Sequence, residues 1–238
     1  QLLSQQEIHG WHFDVDAARE LECSLRQQLW DLEELLLKRF PFVAGAEFTP
    51  KRNNKTAGYV EGCTFTKLKD LNISSRDHIA WVLQTHEGWK PKTLTATGKP
   101  VIDEVVLKDI GTPIATHFLQ CLTINKTLGM ISEGANAWLK LVTSANRIHH
   151  TCSTATITHR CSHRKPNLAQ VPSESQFRKL FTASPGMVMC GADLSGIELR
   201  MLGHYLSRYS TYFSDNLLND DIHQVNADKI GISRRQVK

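Results

Sequence analysis

Residues 187–200 read Met-Val-Met-Cys-Gly-Ala-Asp-Leu-Ser-Gly-Ile-Glu-Leu-Arg. The apolar residues 187–190 predict a short buried strand. Asp193 comes just after this strand, and the Ser-Gly pair at 195–196 ends the extended run. From Ile197 onward, apolar residues recur at spacings of three and four, which predicts a helix. The sequence therefore predicts a strand, an acidic residue, a turn and a helix in this order.

Two carboxylates lie in this stretch. Asp193 is at the end of the predicted strand, and Glu198 is in the first turn of the predicted helix. The helix dipole favours negative charge at the start of a helix. Asp is also a common helix cap, so a purely structural role for Asp193 stays open beside a functional one.

The composition is that of an ordinary globular chain of 238 residues, with 41% hydrophobic and 22% charged residues. This length allows one large domain or two small ones. No apolar run reaches about 18 residues, so the sequence predicts no membrane span. The first residue is Gln1, and Lys238 lies in a helical, basic stretch. We expect both ends to be cuts through a longer protein.

The six cysteines are scattered and include no Cys-x-x-Cys pair. This pattern predicts neither a disulfide framework nor a common zinc finger. A reducing, intracellular compartment is the expected setting.

The net charge of +4 is too small to identify a nucleic-acid partner by itself. Its distribution is more informative, because residues 138–180 contain many cations and a single carboxylate, Glu174. The cations are Lys140, Arg147, Arg160, Arg164, Lys165, Arg178 and Lys179. Such a basic stripe suits phosphate contacts, and the alternative is a solvated surface.

A long helix is predicted over about residues 14–40, because its leucines recur at spacings of three and four. Asp14 or Asp16 is the expected cap, and Phe40-Pro41 ends the helix. A helix this long suits a projecting arm with a partner helix packed alongside.

Residues 41–72 show no regular spacing of apolar residues, and we predict that they form a basic segment without regular structure at the tip of this arm. Helical segments are expected from Ser74 or Ser75 to Gly88, over 101–110, and over 114–130. Residues 151–172 lack a period and are predicted to be extended or looped.

Seven short motifs of this chain occur in the order found in family A DNA polymerases. Residues 193–200 resemble motif A of that family. The resemblance is closest to the replicative polymerases of podophages. The motifs are Gly-Trp-x-Phe-Asp at 10–14, Ser-Ser-Arg-Asp-His-Ile at 74–79, Gly-Trp-Lys-Pro at 88–91, Thr-Gly-Lys-Pro at 97–100, Pro-Asn-Leu-Ala-Gln-Val-Pro at 166–172, Asp-Leu-Ser-Gly-Ile-Glu-Leu-Arg at 193–200 and Asp-Ile-His at 221–223. The resemblance covers essentially the whole chain.

The resemblance implies an α+β, mostly helical fold. Residues 1–142 would form the thumb, with long antiparallel helices and a basic tip at about 41–72. Residues 143–238 would form part of the palm, with its antiparallel sheet and motif A, and the start of the fingers. The tip segment is too short for the processivity-factor insertion that some podophage polymerases carry.

The implied activity is DNA-templated DNA synthesis, in which a nucleotide passes from a dNTP to a primer 3′-OH with the help of two Mg²⁺ ions. Asp193 would bridge the metals, and the Leu194 carbonyl would ligate one of them. Glu198, grouped with Asp193 at the catalytic centre, would be a steric gate that fills the place of a ribose 2′-OH. The chain alone is expected to be inactive, because motif C and most of motif B would lie beyond residue 238.

The implied dNTP-binding residues lie in motif A, in Asp-Ile-His and at the start of motif B. They are Ser195, Gly196, Glu198, His223, Arg234 and Lys238. The expected DNA-binding residues lie at the tip, on the predicted helix over 114–130 and between residues 138 and 180. They are Lys51, Arg52, Lys55, Lys126, Arg160, Asn167, Gln170 and Arg178.

The sequence departs from the family pattern between residues 149 and 163. His150 and His159 stand where the family has Gly, which indicates an altered primer-binding loop. The histidines and cysteines of this segment are also possible zinc ligands, but their spacing matches no structural zinc pattern, so a metal-free loop is favoured. A zinc-stapled nucleic-acid-binding module using the segment from His149 to His163 is kept as an alternative, as is a non-catalytic DNA-binding fragment.

The expected partners are primer–template DNA and dNTPs, with no membrane. A replisome or processivity partner stays undetermined. The expected location is the cytoplasm of a phage-infected bacterial cell.

Overall fold

The computed structural model describes residues 2–158 and 160–237. It forms two compact units, Gln1–Met187 and Val188–Lys238. The predicted boundary between thumb and palm at residue 142 stays a prediction, because it is a division by function within the first unit.

The helices of the first unit are α1 (Leu2–His9), α2 (Val15–Arg39), α3 (Arg76–Glu87), α4 (Glu104–Ile110), α5 (Pro113–Leu128), α6 (Trp138–Leu141) and α7 (Ser175–Arg178). Its strands are β1 (Trp11–Phe13), β2 (Phe42–Phe48), β3 (Phe65–Asp70), β4 (Arg147–Ile148), β5 (Thr151–Ser153), β6 (Ser162–Arg164) and β7 (Phe181–Thr182). A π-helical turn, Gly129–Glu133, extends α5, and a 3-10 turn spans Leu168–Gln170. The second unit contains α8 (Ile197–Leu206), α9 (Tyr212–Asn219), α10 (Ile222–Ile230) and α11 (Arg234–Val237).

Three small antiparallel sheets organise the first unit. The largest has the strand order β4-β1-β7, so β1 lies in the middle. The other two are the hairpins β2-β3 and β5-β6. In the β5-β6 hairpin, Cys152 lies directly opposite His163.

The long predicted helix is confirmed as α2, which has 25 residues. Asp14 is its cap, and its carboxylate accepts a hydrogen bond of 3.0 Å from the Ala17 amide. Phe40 ends the helix as expected, with its amide bonded to the Leu36 carbonyl. The cap satisfies one of the amides that an uncapped helix start leaves without a partner.

Two hydrophobic clusters lie along α2, which also packs against α5. Leu36 belongs to the first cluster, together with the buried faces of α3, α4 and α5. Leu25 and Phe13 belong to the second, together with Leu128 and Trp138. One amphipathic helix therefore joins both cores of the unit.

The other predicted helices of this unit are also confirmed. Gly88 ends α3 in the left-handed conformation, with φ of 65°, which glycine adopts without steric cost. α4 begins at Glu104, later than predicted, because the Asp103 carboxylate caps it through the Val106 amide at 2.8 Å. α5 begins with Pro113 behind the cap Thr112.

Residues 41–72 are more ordered than the sequence indicated. The strands β2 and β3 form a hairpin whose register shifts between Ala44 and Glu47. This shift breaks the alternation of side chains, and most residues of both strands are exposed. The period-2 signal of a half-buried strand is therefore absent from the sequence.

The predicted buried strand at 187–190 is wrong. These residues form neither a strand nor a helix, and Val188 is 90% exposed. A strand requires a neighbour that satisfies its backbone groups, and the described residues provide no ladder partner here. The turn and the helix that follow are confirmed.

No helix among residues 2–158 and 160–237 has the length and apolarity required to span a bilayer.

Replacing Leu36 by Ala should lower the free energy of unfolding of the first unit by about 2–5 kcal/mol, because the Leu36 side chain is fully buried. The matched control is Leu35→Ala, since Leu35 is 46% exposed, and its cost should be about 1 kcal/mol or less. All five tryptophans lie before residue 188, so tryptophan fluorescence during urea unfolding reports on this unit. Equal losses in the two variants would contradict the placement of Leu36 in the core.

Candidate active site and nucleic-acid interface

Asp193 and Glu198 flank a tight turn in the second unit. Gly196 precedes α8 with φ of 60°, so the cap position belongs to this glycine and not to Asp193. Arg200 ties the turn to the helix through a hydrogen bond of 2.8 Å from its Nε to the Ser195 carbonyl. Asp193 is exposed, and Glu198 lies in the first turn of α8 as predicted. A capping role for Asp193 is therefore excluded, and its carboxylate is accessible within this unit.

α8 and α9 pack against each other. Gly203 of α8 is buried at this contact, and a Cβ atom built on it would meet Phe213 and Leu217 at the ordinary contact distances of 3.5 and 3.6 Å. This contact supports the turn of α8 that follows Glu198. Glu198, the predicted steric gate, is thus carried by a helix that packs against its neighbour.

Asp221 organises the segment that carries His223. Its carboxylate caps α10 by accepting hydrogen bonds from the amides of His223 and Gln224 at 3.1 and 3.3 Å. The same carboxylate accepts a hydrogen bond of 2.7 Å from Arg234 Nε. This bond to Arg234 is the main reason why the pKa of Asp221 is lowered. The structure therefore brings Arg234 to the helix start that positions His223, while Lys238 lies outside the described residues.

Three predicted DNA-binding cations are at the end of the β2-β3 hairpin. Lys51, Arg52 and Lys55 are all exposed. Three rings order the base of this tip, with centroid distances of 5.0 Å between Phe48 and Tyr59, 6.0 Å between Phe48 and Phe65, and 5.0 Å between Tyr59 and Phe65. The tip is therefore a structured, positively charged surface.

The remaining predicted DNA-binding residues are distributed over the first unit. Lys126 is exposed on α5, Arg178 is exposed on α7, and Arg160 is exposed before β6. The Asn167 side chain caps the 3-10 turn through the Ala169 amide at 3.2 Å, and Gln170 ends that turn. Asn167 thus has a structural task in addition to any contact with DNA.

Arg147 binds three parts of the chain, a role that its position among the basic residues of 138–180 did not predict. Its Nε donates to the His9 carbonyl at 2.5 Å, one Nη donates to the Gly10 carbonyl at 3.1 Å, and the other donates to Ser184 Oγ at 2.8 Å. Arg147 therefore fixes the end of α1 beside the β4-β1-β7 sheet. Because the acceptors are distant in sequence, the charge pattern alone gives no sign of this role.

The segment 149–163 contains a cluster that the sequence did not predict. Cys152 and Cys161 form a disulfide bond, although the cysteine spacing predicted no disulfide framework. The antiparallel register of β5 and β6 places them near each other, and that register is not encoded in cysteine spacing. His150 and His163 stack beside them with ring centroids 5.0 Å apart. His159, the other departure from the family pattern, lies outside the described residues.

Replacing Arg234 by Gln should raise the pKa of the Asp221 carboxyl toward its ordinary value, because the Arg234 hydrogen bond is the main cause of the lowering. A lowered carboxyl pKa means that this pair stabilises the fold above the ordinary pKa and that the contribution is lost as the pH falls through the lowered value. An NMR titration of the carboxyl carbon measures both values. Arg208→Gln is the control and should leave the pKa of Asp221 unchanged. If the pKa of Asp221 were also unchanged in Arg234→Gln, the pairing would be contradicted.

Comparison with known proteins identifies the family. The sequence model of DNA polymerase family A matches residues 49–238. The DNA-directed DNA polymerase of Escherichia phage T7 is 30% identical, and the match covers 94% of this chain and 41% of the phage protein. The thermostable DNA polymerase I of Thermus filiformis is 33% identical, with 86% of this chain and 22% of that protein covered.

A solved structure supports the fold. The POL domain of Pol1 from M. smegmatis, in complex with DNA primer-template and dNTP, matches with a TM-score of 0.68 at 20% identity. The match covers 99% of this chain and 39% of that one, which confirms the predicted α+β polymerase fold. The resemblance inferred from the seven motifs is confirmed as well: this chain belongs to DNA polymerase family A.

Proposed function

We propose that the protein containing this chain catalyses DNA-templated DNA synthesis by transferring nucleotides from dNTPs to a primer 3′-OH. The observation that carries this proposal is the exposed Asp193 carboxylate, which precedes the turn and α8 within the region matched by the family. The phage T7 and T. filiformis relatives are both named DNA polymerases. The family relationship supports the reaction class, and the exposure of Asp193 beside the turn supports its proposed role.

The donor atoms at this turn suit a hard divalent cation. Asp193 offers two carboxylate oxygens, and Leu194 offers a backbone carbonyl directly beside it. Oxygen ligands of this kind are the ones that Mg²⁺ prefers, so we assign Mg²⁺ to Asp193 and Leu194. A pair of such ions would stabilise the charge on the attacking and leaving oxygens. Within the described residues the Asp193 side chain makes no hydrogen bond, so its lone pairs are available for this role.

Glu198 is assigned to selection of the sugar. It lies five residues after Asp193, in the first turn of α8, and α8 packs against α9. A side chain on a rigid helix excludes a ribose 2′-OH by occupying its volume. Ser195 and Gly196, in the turn between the two acids, are assigned to the same nucleotide.

The triphosphate is assigned to the segment after Asp221. His223 lies in the first turn of α10, and Arg234 is held at that helix start through its Nε alone among the described contacts. The terminal nitrogens of Arg234 therefore remain available for a phosphate, to which guanidinium groups bind in a bidentate manner. Lys238 is assigned to the same phosphates from its position four residues later in the sequence.

Primer–template DNA is the proposed macromolecular partner. The exposed tip cations Lys51, Arg52 and Lys55 suit phosphates, which carry no base sequence directly. Lys126, Arg160, Asn167, Gln170 and Arg178 are assigned to the same DNA. Because phage polymerases are among the relatives, we assign this synthesis to the cytoplasm of a phage-infected bacterial cell.

Replacing Asp193 by Asn in the full polymerase should lower the rate of single-nucleotide extension by at least about 10²–10³-fold, because the metal site loses a negative charge. The affinity for primer–template DNA should stay unchanged. Pre-steady-state extension and fluorescence anisotropy measure the two quantities. Asp215→Asn, an exposed acid on α9, is the control and should extend normally. Near-normal extension by Asp193→Asn at saturating Mg²⁺ would contradict the assignment.

Replacing Glu198 by Ala in the full polymerase should relax discrimination against ribonucleotides, because the volume that excludes the 2′-OH is removed. Single-turnover incorporation of a matched rNTP and dNTP measures the ratio. Glu198→Gln keeps the size of the side chain and should retain most of the discrimination. A ratio that stays the same in Glu198→Ala would return Glu198 to a role in stabilising the start of α8.

A further inference from the structure

Four potential metal ligands lie in or directly before the two strands of the β5-β6 hairpin. Their pattern is His150-x-Cys152 on one side and Cys161-x-His163 on the other. Cys152 in β5 lies opposite His163 in β6, so these two side chains point to the same face of the hairpin. His150 and Cys161 come directly before the two strands.

The distances show that these side chains converge. Cys152 Sγ lies 4.0 Å from His163 Nε2. One ligand atom from each of His150, Cys152 and His163 lies within 4.8 Å of the other two. Cys161 completes the group, because its sulfur is bonded to that of Cys152. Ligand atoms around a tetrahedral zinc ion are about 3.5 Å apart, so only small side-chain movements separate this cluster from a metal site.

The environment of His150 is a second, independent indication of a metal site. His150 is 3% exposed, and neither of its ring nitrogens has a hydrogen-bond partner among the described residues. Nδ1 of His163 is buried without a partner as well. A buried imidazole that makes no hydrogen bond is costly, and such groups require an explanation. A metal ion would give one nitrogen of each ring a partner.

The first helix of the chain holds the hairpin that carries these side chains. The Glu7 carboxylate accepts a hydrogen bond from the Cys152 amide and so holds the start of β5 against α1. The cluster is thus anchored by the first helix of the chain.

We propose that His150, Cys152, Cys161 and His163 bind one structural Zn²⁺ ion when the bond between the two cysteines is reduced. A set of two sulfur and two nitrogen ligands is typical of tetrahedral zinc. The sequence favoured a metal-free loop because the spacing fits no known finger. The hairpin register changes this interpretation, since it brings together two ligand pairs that lie apart in the sequence.

Conversion of the disulfide form to the zinc-bound form requires a reductant and releases two protons. A dithiol reductant gives two electrons and two protons to the Cys152–Cys161 bond, which becomes two thiols while the reductant becomes a disulfide. Zn²⁺ then binds both sulfurs as thiolates, and the two thiol protons pass to solvent. Two thiolates and one Zn²⁺ leave the site neutral, which favours its partly buried position.

The metal would fix the hairpin that leads into the 3-10 turn with Asn167 and Gln170. This role is structural and does not depend on the proposed polymerase activity. A failure to bind zinc would leave the assignment of Asp193 untouched, and an inactive Asp193→Asn variant would say nothing about the hairpin.

The test is elemental analysis of the 238-residue chain purified with a reductant and without chelator. We expect about one equivalent of zinc per chain. His163→Gln and Cys161→Ser should each reduce the bound zinc at least about tenfold. The matched controls are His149→Gln, because His149 bonds to the Glu7 carbonyl and lies outside the cluster, and Cys63→Ser, because Cys63 is an exposed free cysteine. Both controls should keep the full equivalent.

Cobalt provides a readout that does not depend on the folding of any variant. Co²⁺ added to the reduced, metal-free wild-type chain should produce thiolate-to-metal charge-transfer absorption and the visible bands of a tetrahedral site. An absence of these bands, while both thiols react freely with a thiol reagent, would overturn the proposal. Zinc content unchanged in both ligand variants would overturn it as well.

Discussion

The pairing of β1 with two distant strands is the constraint on which the first unit depends. Trp11 lies opposite Ile148 in β4, and Phe13 lies opposite Phe181 in β7. Phe13 is fully buried, with its ring 5.3 Å from Phe181 and 6.2 Å from Trp138. Because β1 leads directly into α2 through the cap Asp14, this small sheet fixes the point from which the long helix projects. The three hydrogen bonds of Arg147 strengthen the same junction.

The consequence for function is a rigid arm with a charged end. α2 joins the two hydrophobic clusters, so the arm is part of the fold and not an appendage. The β2-β3 hairpin follows α2 and presents Lys51, Arg52 and Lys55 to solvent on an aromatic base. Because the base of the tip is ordered, little backbone freedom would be lost when these cations meet phosphates, which suits binding to DNA of any sequence.

The features that the sequence predicted well are those with local causes. Asp14 caps α2 through an amide three residues away, and Gly88 ends α3 in a conformation that glycine favours. The failures all involve partners distant in sequence. The segment 187–190 has the composition of a strand, but composition does not supply a ladder partner. The cluster around Cys152 depends on the register of two short strands. In the tip hairpin, a register shift interrupts the alternation of buried and exposed side chains by which a strand is predicted. For the site, the sequence predicted the turn and the position of Glu198 in the first turn of the helix. It wrongly predicted a strand before Asp193, and the pairing of Arg234 with Asp221 required the structure.

We propose that the first unit binds primer–template DNA through its phosphates. The most direct measurement is the affinity of the 238-residue chain for primer–template duplexes of different sequence over a range of salt concentrations. If about four cations contact phosphates, log affinity should fall linearly with log salt with a slope of about −3.6, and the duplexes should bind equally well. A flat salt dependence, or a strong preference for one sequence, would contradict this account.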